Sequence, residues 1–70
     1  MISVTAPMAG KILSVARNVG YKVEEDETIF VMEAMKMEIP IVAPAGGIIR
    51  DILVEAGQTV EADAVLAVIE

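Results

Sequence analysis

The chain contains no cysteine and no histidine among its 70 residues. The absence of cysteine excludes disulfides and thiolate nucleophiles, and without histidine the usual zinc ligand sets and the commonest proton-transfer side chain are missing as well. Ser3, Ser14 and Tyr21 therefore have no histidine partner with which to build a nucleophilic site. An independent enzyme is the least favoured class of function.

Basic residues and long apolar runs are also scarce. Five Lys and Arg against eleven Asp and Glu give a net charge of −6, and the basic residues are scattered, which disfavours nucleic acid as a partner. The longest apolar stretch, residues 39–49, is interrupted by two prolines and two glycines and is too short for a membrane span of about 20 residues. No signal-peptide pattern follows Met1. We expect a cytoplasmic, single domain over residues 1–70, without membrane insertion and monomeric in isolation.

An internal repeat organises the chain. Residues 6–33 align without a gap to residues 43–70 at an offset of 37. Each copy contains, in this order, turn-forming proline and glycine residues, a run of residues typical of β-strands, a glycine turn and a second such run. The runs are Lys11–Val15 and Thr28–Ala34 in the first copy, and Ile48–Leu53 and Val65–Ile69 in the second.

The repeat predicts the fold class. One copy is too small to bury its own apolar face, so two copies should pack face to face about a pseudo-two-fold axis. We expect an all-β flattened barrel or sandwich of two four-stranded antiparallel sheets, with little or no helix. Asp26 and Asp63 occupy equivalent turns, where aspartate tolerates left-handed backbone, so both should be structural.

The segment VMEAMKMEIP, Val31–Pro40, joins the copies and predicts a hairpin. Two strands, residues 28–34 and 37–42, would be connected by the two-residue turn Met35-Lys36. The expected pairs are Ala34/Met37, Met32/Ile39 and Phe30/Ile41 on an apolar face, and Glu33/Glu38, Val31/Pro40 and Ile29/Val42 on the other. Two features of this hairpin are unfavourable, because the turn lacks the usual Asn-Gly or Asp-Gly and the two glutamates face one another.

Local rules are broken most often where function requires it, so the turn is a candidate site. Lys36 would project from the tip into solvent, where a group could be attached to it. A protonated lysine is a poor nucleophile, so attachment would need an activated acyl donor and a separate enzyme. An ordinary solvated lysine is the alternative. Met37, on the apolar face, should fill the core, whereas Met35 should be an exposed contact surface.

At this point the residues resemble a known family. EAMKM, Glu33–Met37, is similar to the attachment motif of biotinyl domains, the carboxyl-carrier modules of biotin-dependent carboxylases and decarboxylases, and APMAGKI and APAGGII resemble the segments that flank the hairpin. The resemblance implies a barrel-sandwich hybrid in which a biotin protein ligase joins biotin to Lys36. The attached biotin would carry a carboxyl group between biotin carboxylase and carboxyltransferase or decarboxylase sites.

The resemblance also assigns the neighbours of Lys36. Met35 and Met37 would flank the biotinyl arm, and Ala34, Glu33 and Glu38 would belong to the surface that the ligase reads. Some relatives insert a protruding thumb, but residues 16–20 align without a gap to residues 53–57, so we expect no thumb. The family commonly has proline at the position of Ala9 and glycine at those of Asp26 and Asp63.

Two further hypotheses remain open. A lipoyl domain would present a lysine on the same hairpin and carry acyl groups in a 2-oxo acid dehydrogenase complex, but that lysine usually follows Asp and precedes Ala, whereas Met35 and Met37 flank Lys36 here. An unmodified structural adaptor of the same architecture would have no reason to keep a lysine in an unfavourable turn.

Overall fold

The computed structural model describes all residues, 1–70, and contains eight β-strands and no helix, hence none that could cross a membrane. The strands form two four-stranded sheets of order β1-β8-β6-β3 and β5-β4-β2-β7, and all neighbouring strands are antiparallel. The predicted all-β architecture is confirmed. The strands are β1 (Ile2–Thr5), β2 (Gly10–Val15), β3 (Lys22–Val23), β4 (Thr28–Ala34), β5 (Met37–Val42), β6 (Gly47–Ile52), β7 (Thr59–Val60) and β8 (Val65–Ile69).

The sequence repeat is also the symmetry of the fold. Adding 37 to the residue numbers of β1, β2, β3 and β4 places them over β5, β6, β7 and β8. The same operation turns one sheet order into the other, and each sheet takes two strands from each copy. Neither copy can complete a sheet without the other, so the two halves must fold together.

The core lies between the sheets. A cluster of 15 buried hydrophobic residues draws on both copies, and no polar or charged side chain is buried. Each fully buried aliphatic or aromatic side chain contributes about 1.5 to 3 kcal/mol, which makes this cluster the main source of stability. Its largest fully buried members are Phe30, Ile12, Ile29, Met32, Ile49, Leu66, Ile69 and Val23.

The predicted hairpin register is confirmed at five pairs and wrong at the sixth. A β-bulge between Thr28 and Phe30 places Val42 opposite Thr28, where the alternating pattern had placed it opposite Ile29. The bulge lets two consecutive side chains, Ile29 and Phe30, both point inward with no exposed surface. The other copy has the same irregularity between Val65 and Ala67, and there the additional buried residue is Leu66.

The boundaries of the predicted strands needed small corrections. Strands β2 and β6 begin one residue earlier than expected, at Gly10 and Gly47, and β6 ends at Ile52. A Cβ atom on Gly10 would lie 2.5 Å from the carbonyl oxygen of Glu33, and one on Gly47 would lie 2.7 Å from that of Glu70. Both positions require glycine because the backbone at Glu33 of β4, or at Glu70 just after β8, lies too close for a Cβ atom. The short strands β1, β3 and β7 were not predicted individually.

Paired turns connect the two copies. Asp26 and Asp63 have φ of 69° and 65°, which confirms their left-handed turn role. The backbone N–H of Asp26 donates to the Ala43 carbonyl at 2.8 Å, and that of Asp63 donates to the Ala6 carbonyl at 2.9 Å. The loops of residues 16–21 and 53–58 have equal length, so no thumb protrudes.

An ion pair braces the loop that follows β2. The Nε of Arg17 donates to the Glu27 carboxylate at 2.8 Å, and its guanidinium lies 4.9 Å from the centre of the Tyr21 ring. The backbone N–H of Glu24 also donates to Glu27, and this bond, followed by the one from Arg17, lowers the pKa of Glu27. The equivalent positions of the second copy hold Val54 and Ala64.

Candidate functional site

The turn between β4 and β5 has an unusual backbone. Met35 and Lys36 have φ of 53° and 63°, so both central residues of this two-residue turn are left-handed. Two left-handed residues define the type I′ turn, whose twist matches that of the flanking strands. Left-handed backbone costs non-glycine residues about 1 to 2 kcal/mol each, and neither methionine nor lysine relieves that cost. The turn is therefore formed against local preference, as the sequence indicated.

Lys36 is free at the tip of this turn. Its side chain is exposed, and it takes part in none of the side-chain hydrogen bonds or the ion pair of the structure. The backbone beneath it is held by the two strands of the hairpin, which pair from Ala34/Met37 downward. The structure thus holds a primary amine at the tip of a rigid hairpin. No hydrogen bond or ion pair within the chain has to break before another molecule contacts it.

The methionines on either side of Lys36 are both exposed. Met35 is 83% exposed, as expected for a turn residue. Met37 is 65% exposed, so the prediction that it fills the core was wrong. It does share a face with the buried residues of the hairpin, but β5 is an edge strand and the core ends before Met37. The result is a thioether on each side of the free amine.

Ala34 has a packing role at the base of the turn. It is only 5% exposed, and the site where Gly10 lacks a Cβ atom lies 3.1 Å from the Ala34 Cβ. Its side chain therefore offers almost no surface to a ligase, contrary to the expectation from the resemblance. The alanine and the glycine together let the hairpin lie close against β2.

Three charged residues form a row on the outer face of the hairpin sheet, directly below the turn. Glu33 pairs with Glu38 across β4 and β5, as predicted, and it pairs with Lys11 of β2 on its other side. Residues paired in this way point to the same face, and all three are exposed. We call Glu38, Glu33 and Lys11 the charged row. Lys11 was not predicted from the sequence, because its position beside Glu33 depends on the register between β2 and β4.

The rest of the surface has no enclosed site near the turn. The one cavity is an open groove of about 220 Å³ lined by Thr5, Pro7 and residues 40–42. None of these residues carries a charge or a strong nucleophile, and no group of three potential metal ligands occurs. The exposed Lys36 amine is chemically able to accept an acyl group from an external donor.

Comparison with known proteins decides the family. A family model described as "Biotin-requiring enzyme" matches residues 2–69, essentially the whole chain. The chain belongs to the biotin/lipoyl attachment family. That match includes the segment EAMKM and with it Lys36.

Relatives of this biotin/lipoyl attachment domain are known in sequence and structure. A biotin carboxyl carrier protein of Streptococcus mutans is 51% identical over 57 residues, which are 81% of this chain and 44% of that protein. The urea carboxylase of Kluyveromyces lactis contains a region that superposes with a TM-score of 0.94 at 30% identity, over 99% of this chain and 6% of the enzyme. The chain therefore spans less than half of either protein.

A lipoyl domain shares the same fold. The lipoyl domain of the 2-oxoglutarate dehydrogenase complex of Azotobacter vinelandii superposes with a TM-score of 0.83 at 26% identity, over all of this chain and 96% of that domain. The fold is therefore shared with a lipoyl domain and does not by itself identify the attached group.

Proposed function

We propose that residues 1–70 act as one biotin carboxyl carrier module, with biotin joined through an amide to Nζ of Lys36. Bound biotin supplies the ability to accept a carboxyl group at one active site and release it at another. The protein positions that group and performs no bond-making itself. The partners would be a biotin carboxylase and a carboxyltransferase or decarboxylase.

One observation carries the proposal: an uncommitted lysine amine lies at the tip of a left-handed turn that local preference opposes. Strained backbone persists where the surrounding structure holds it and where function uses it. Here the paired strands hold the turn, and the amine is its only reactive group. The match to a family described as biotin-requiring and the similarity to a biotin carboxyl carrier protein support biotin as the group attached.

Attachment needs an activated donor and a ligase. The deprotonated Lys36 amine would attack the acyl carbon of biotinyl-adenylate and form a C–N bond, while the C–O bond between that carbon and the phosphate oxygen breaks. AMP leaves, and the nitrogen gives up one proton to water or to a base of the ligase. The chain contains no residue that could activate the acid or bind the nucleotide near the turn, so the ligase must supply both functions. The contribution of this domain is an accessible amine in a fixed position.

The neighbours of Lys36 would then have two roles. Met35 and Met37, both exposed, would give soft apolar contact on either side of the biotinyl arm in the partner active sites. Glu33 and Glu38 would be contacted by the ligase, because both carboxylates lie exposed below the turn. Both assignments are supported by position alone.

The test is the intact mass of the domain after co-expression with a biotin ligase and free biotin, followed by peptide mapping. We expect one biotinyl group on Lys36 in the native chain, and none in Lys36→Arg, which keeps the charge but cannot form the amide. Lys22→Arg is the matched control, because Lys22 is also an exposed lysine but lies in strand β3, outside the turn, so its replacement should leave labelling unchanged. Labelling of the Lys36→Arg variant would refute the assignment.

A parallel reaction with a lipoate ligase separates the two carriers of this fold. The fold match to a lipoyl domain favours testing this candidate. We expect biotin to be accepted and lipoate rejected, since methionines stand on both sides of Lys36. Lipoylation without biotinylation would replace the carboxyl-carrier proposal with an acyl-carrier one.

A further inference from the structure

The fold does not require Lys11 of the charged row. The position of Lys11 in the other copy is Ile48, and those of Glu33 and Glu38 are Glu70 and Met1, at the same offset of 37. Ile48 and Glu70 exchange two backbone hydrogen bonds, of 3.1 and 2.8 Å, as residues paired in a ladder do. The contact equivalent to that of Lys11 and Glu33 is thus formed without a lysine.

Lys11 is also not committed to a partner within the chain. Its side chain is exposed, and the only ion pair within 4.0 Å joins Arg17 and Glu27. Its neighbour Glu33 faces a like charge on Glu38, which is unfavourable for the isolated domain. The row therefore presents two carboxylates and one ammonium to solvent, in a fixed order set by strand pairing.

The charged row lies within reach of any protein that acylates Lys36. Strands are about 4.8 Å apart and rise about 3.3 Å per residue, so Lys11 lies roughly 11 Å from the turn. A specific protein–protein contact buries about 800 Å² on each partner, a patch roughly 30 Å across. A ligase bound over the turn and this face of the sheet would cover all three charges.

We propose that Lys11 belongs to the surface recognised by the biotin ligase, with a ligase acidic group facing Lys11 and ligase basic groups facing Glu33 and Glu38. The inference rests on the proposed function, and it adds a residue of opposite charge to the surface assigned there. Complementary charge at an interface raises the association rate and sets the orientation of docking. Lys11 would thus orient the ligase relative to the turn and would take no part in the acyl transfer.

The experiment measures kcat/KM for biotinylation of the purified, unmodified domain by a biotin ligase with ATP and biotin. The variants are Lys11→Met, which removes the charge, and Lys11→Glu, which reverses it. Lys22→Glu is the matched control, because it changes the net charge equally at an exposed position of the other sheet.

We expect kcat/KM to fall about threefold to fivefold for Lys11→Met and about tenfold or more for Lys11→Glu, mainly through KM, and to stay within about twofold for Lys22→Glu. The loss should shrink in high salt, because exposed charges are screened. Equal values for Lys11→Glu and Lys22→Glu would overturn the inference and leave the proposed function intact.

The unfolding midpoint distinguishes a ligase contact from a purely structural role of Lys11. If Lys11 only relieved repulsion between Glu33 and Glu38, its replacement would lower the unfolding midpoint while kcat/KM of the folded domain stayed constant, which also overturns the inference. Failure of the native domain to be labelled at all would refute the proposed function itself.

Discussion

Replacing Met35 by asparagine tests whether the turn stores strain. Met35 has a φ of 53°, in a region that costs most residues about 1 to 2 kcal/mol and that asparagine tolerates well. Met35 is 83% exposed, and complete burial of a methionine is worth about 1.5 to 3 kcal/mol, so the lost contact is below about 0.5 kcal/mol. The variant should be more stable than the native chain by about 0.5 to 1 kcal/mol.

Urea denaturation followed by far-ultraviolet circular dichroism would measure this change. With an m-value of about 1 kcal/mol/M, typical of the smallest domains, the midpoint should rise by about 0.5 to 1 M. The matched control is Met37→Asn, the same substitution two residues later on extended backbone of β5. Asparagine is a poor strand former, so this control should be neutral or destabilised.

The sign of the difference between the two variants is decisive. A midpoint for Met35→Asn equal to or below that of Met37→Asn would show that the turn is not strained at Met35. Backbone strain at Met35 would then not be a reason to infer that the turn is maintained for function, whatever the outcome of the labelling experiment.

Two further predictions concern the core and the braced loop. Phe30→Ala should cost about 3 to 5 kcal/mol, because the ring has no exposed surface, whereas Val19→Ala, at a residue 58% exposed, should stay within about 0.5 kcal/mol. An unchanged denaturation midpoint for Phe30→Ala would contradict the core assignment. Glu27→Gln should lower the thermal midpoint at pH 7, because the hydrogen bonds from Glu24 and Arg17 favour the ionised carboxylate and lower its pKa. This stabilisation is present above the unfolded pKa of about 4.3 and is lost as the pH falls through the lower, folded pKa. Glu25→Gln, which removes no hydrogen bond, is its control, and a deficit of Glu27→Gln that did not shrink as the pH was lowered below about 4.3 would contradict the mechanism.

Much of the candidate site could be predicted because it is local. A two-residue turn between strands fixes which residues pair, so the partners of Ala34, Glu33 and Met32 followed from the sequence alone, and the structure confirmed them. The positive φ of Lys36 followed from the same loop length. These features depend on residues separated by only a few positions.

Other features of the site depend on strands far apart in sequence. Lys11 stands beside Glu33 because β2 pairs with β4 in one register, and nothing near Lys11 in the chain indicates that register. Met37 is exposed because the core ends below it, and the extent of a core is a property of both sheets together. The sixth predicted pair, Ile29/Val42, was wrong because it assumed that side chains alternate strictly between the two faces of β4. The bulge at Ile29 interrupts that alternation, and it is a response to packing of the core.

The sequence by itself determined the two-fold repeat, the all-β class and the lysine at the tip of the hairpin, since repeats, strand periodicity and turn length are written in consecutive residues. Only the tertiary structure decided where the core stops, where the bulges turn an additional side chain inward, and which charges lie together below Lys36. Those properties arise when strands from both copies combine in each sheet, and each depends on contacts that no single segment of the chain contains.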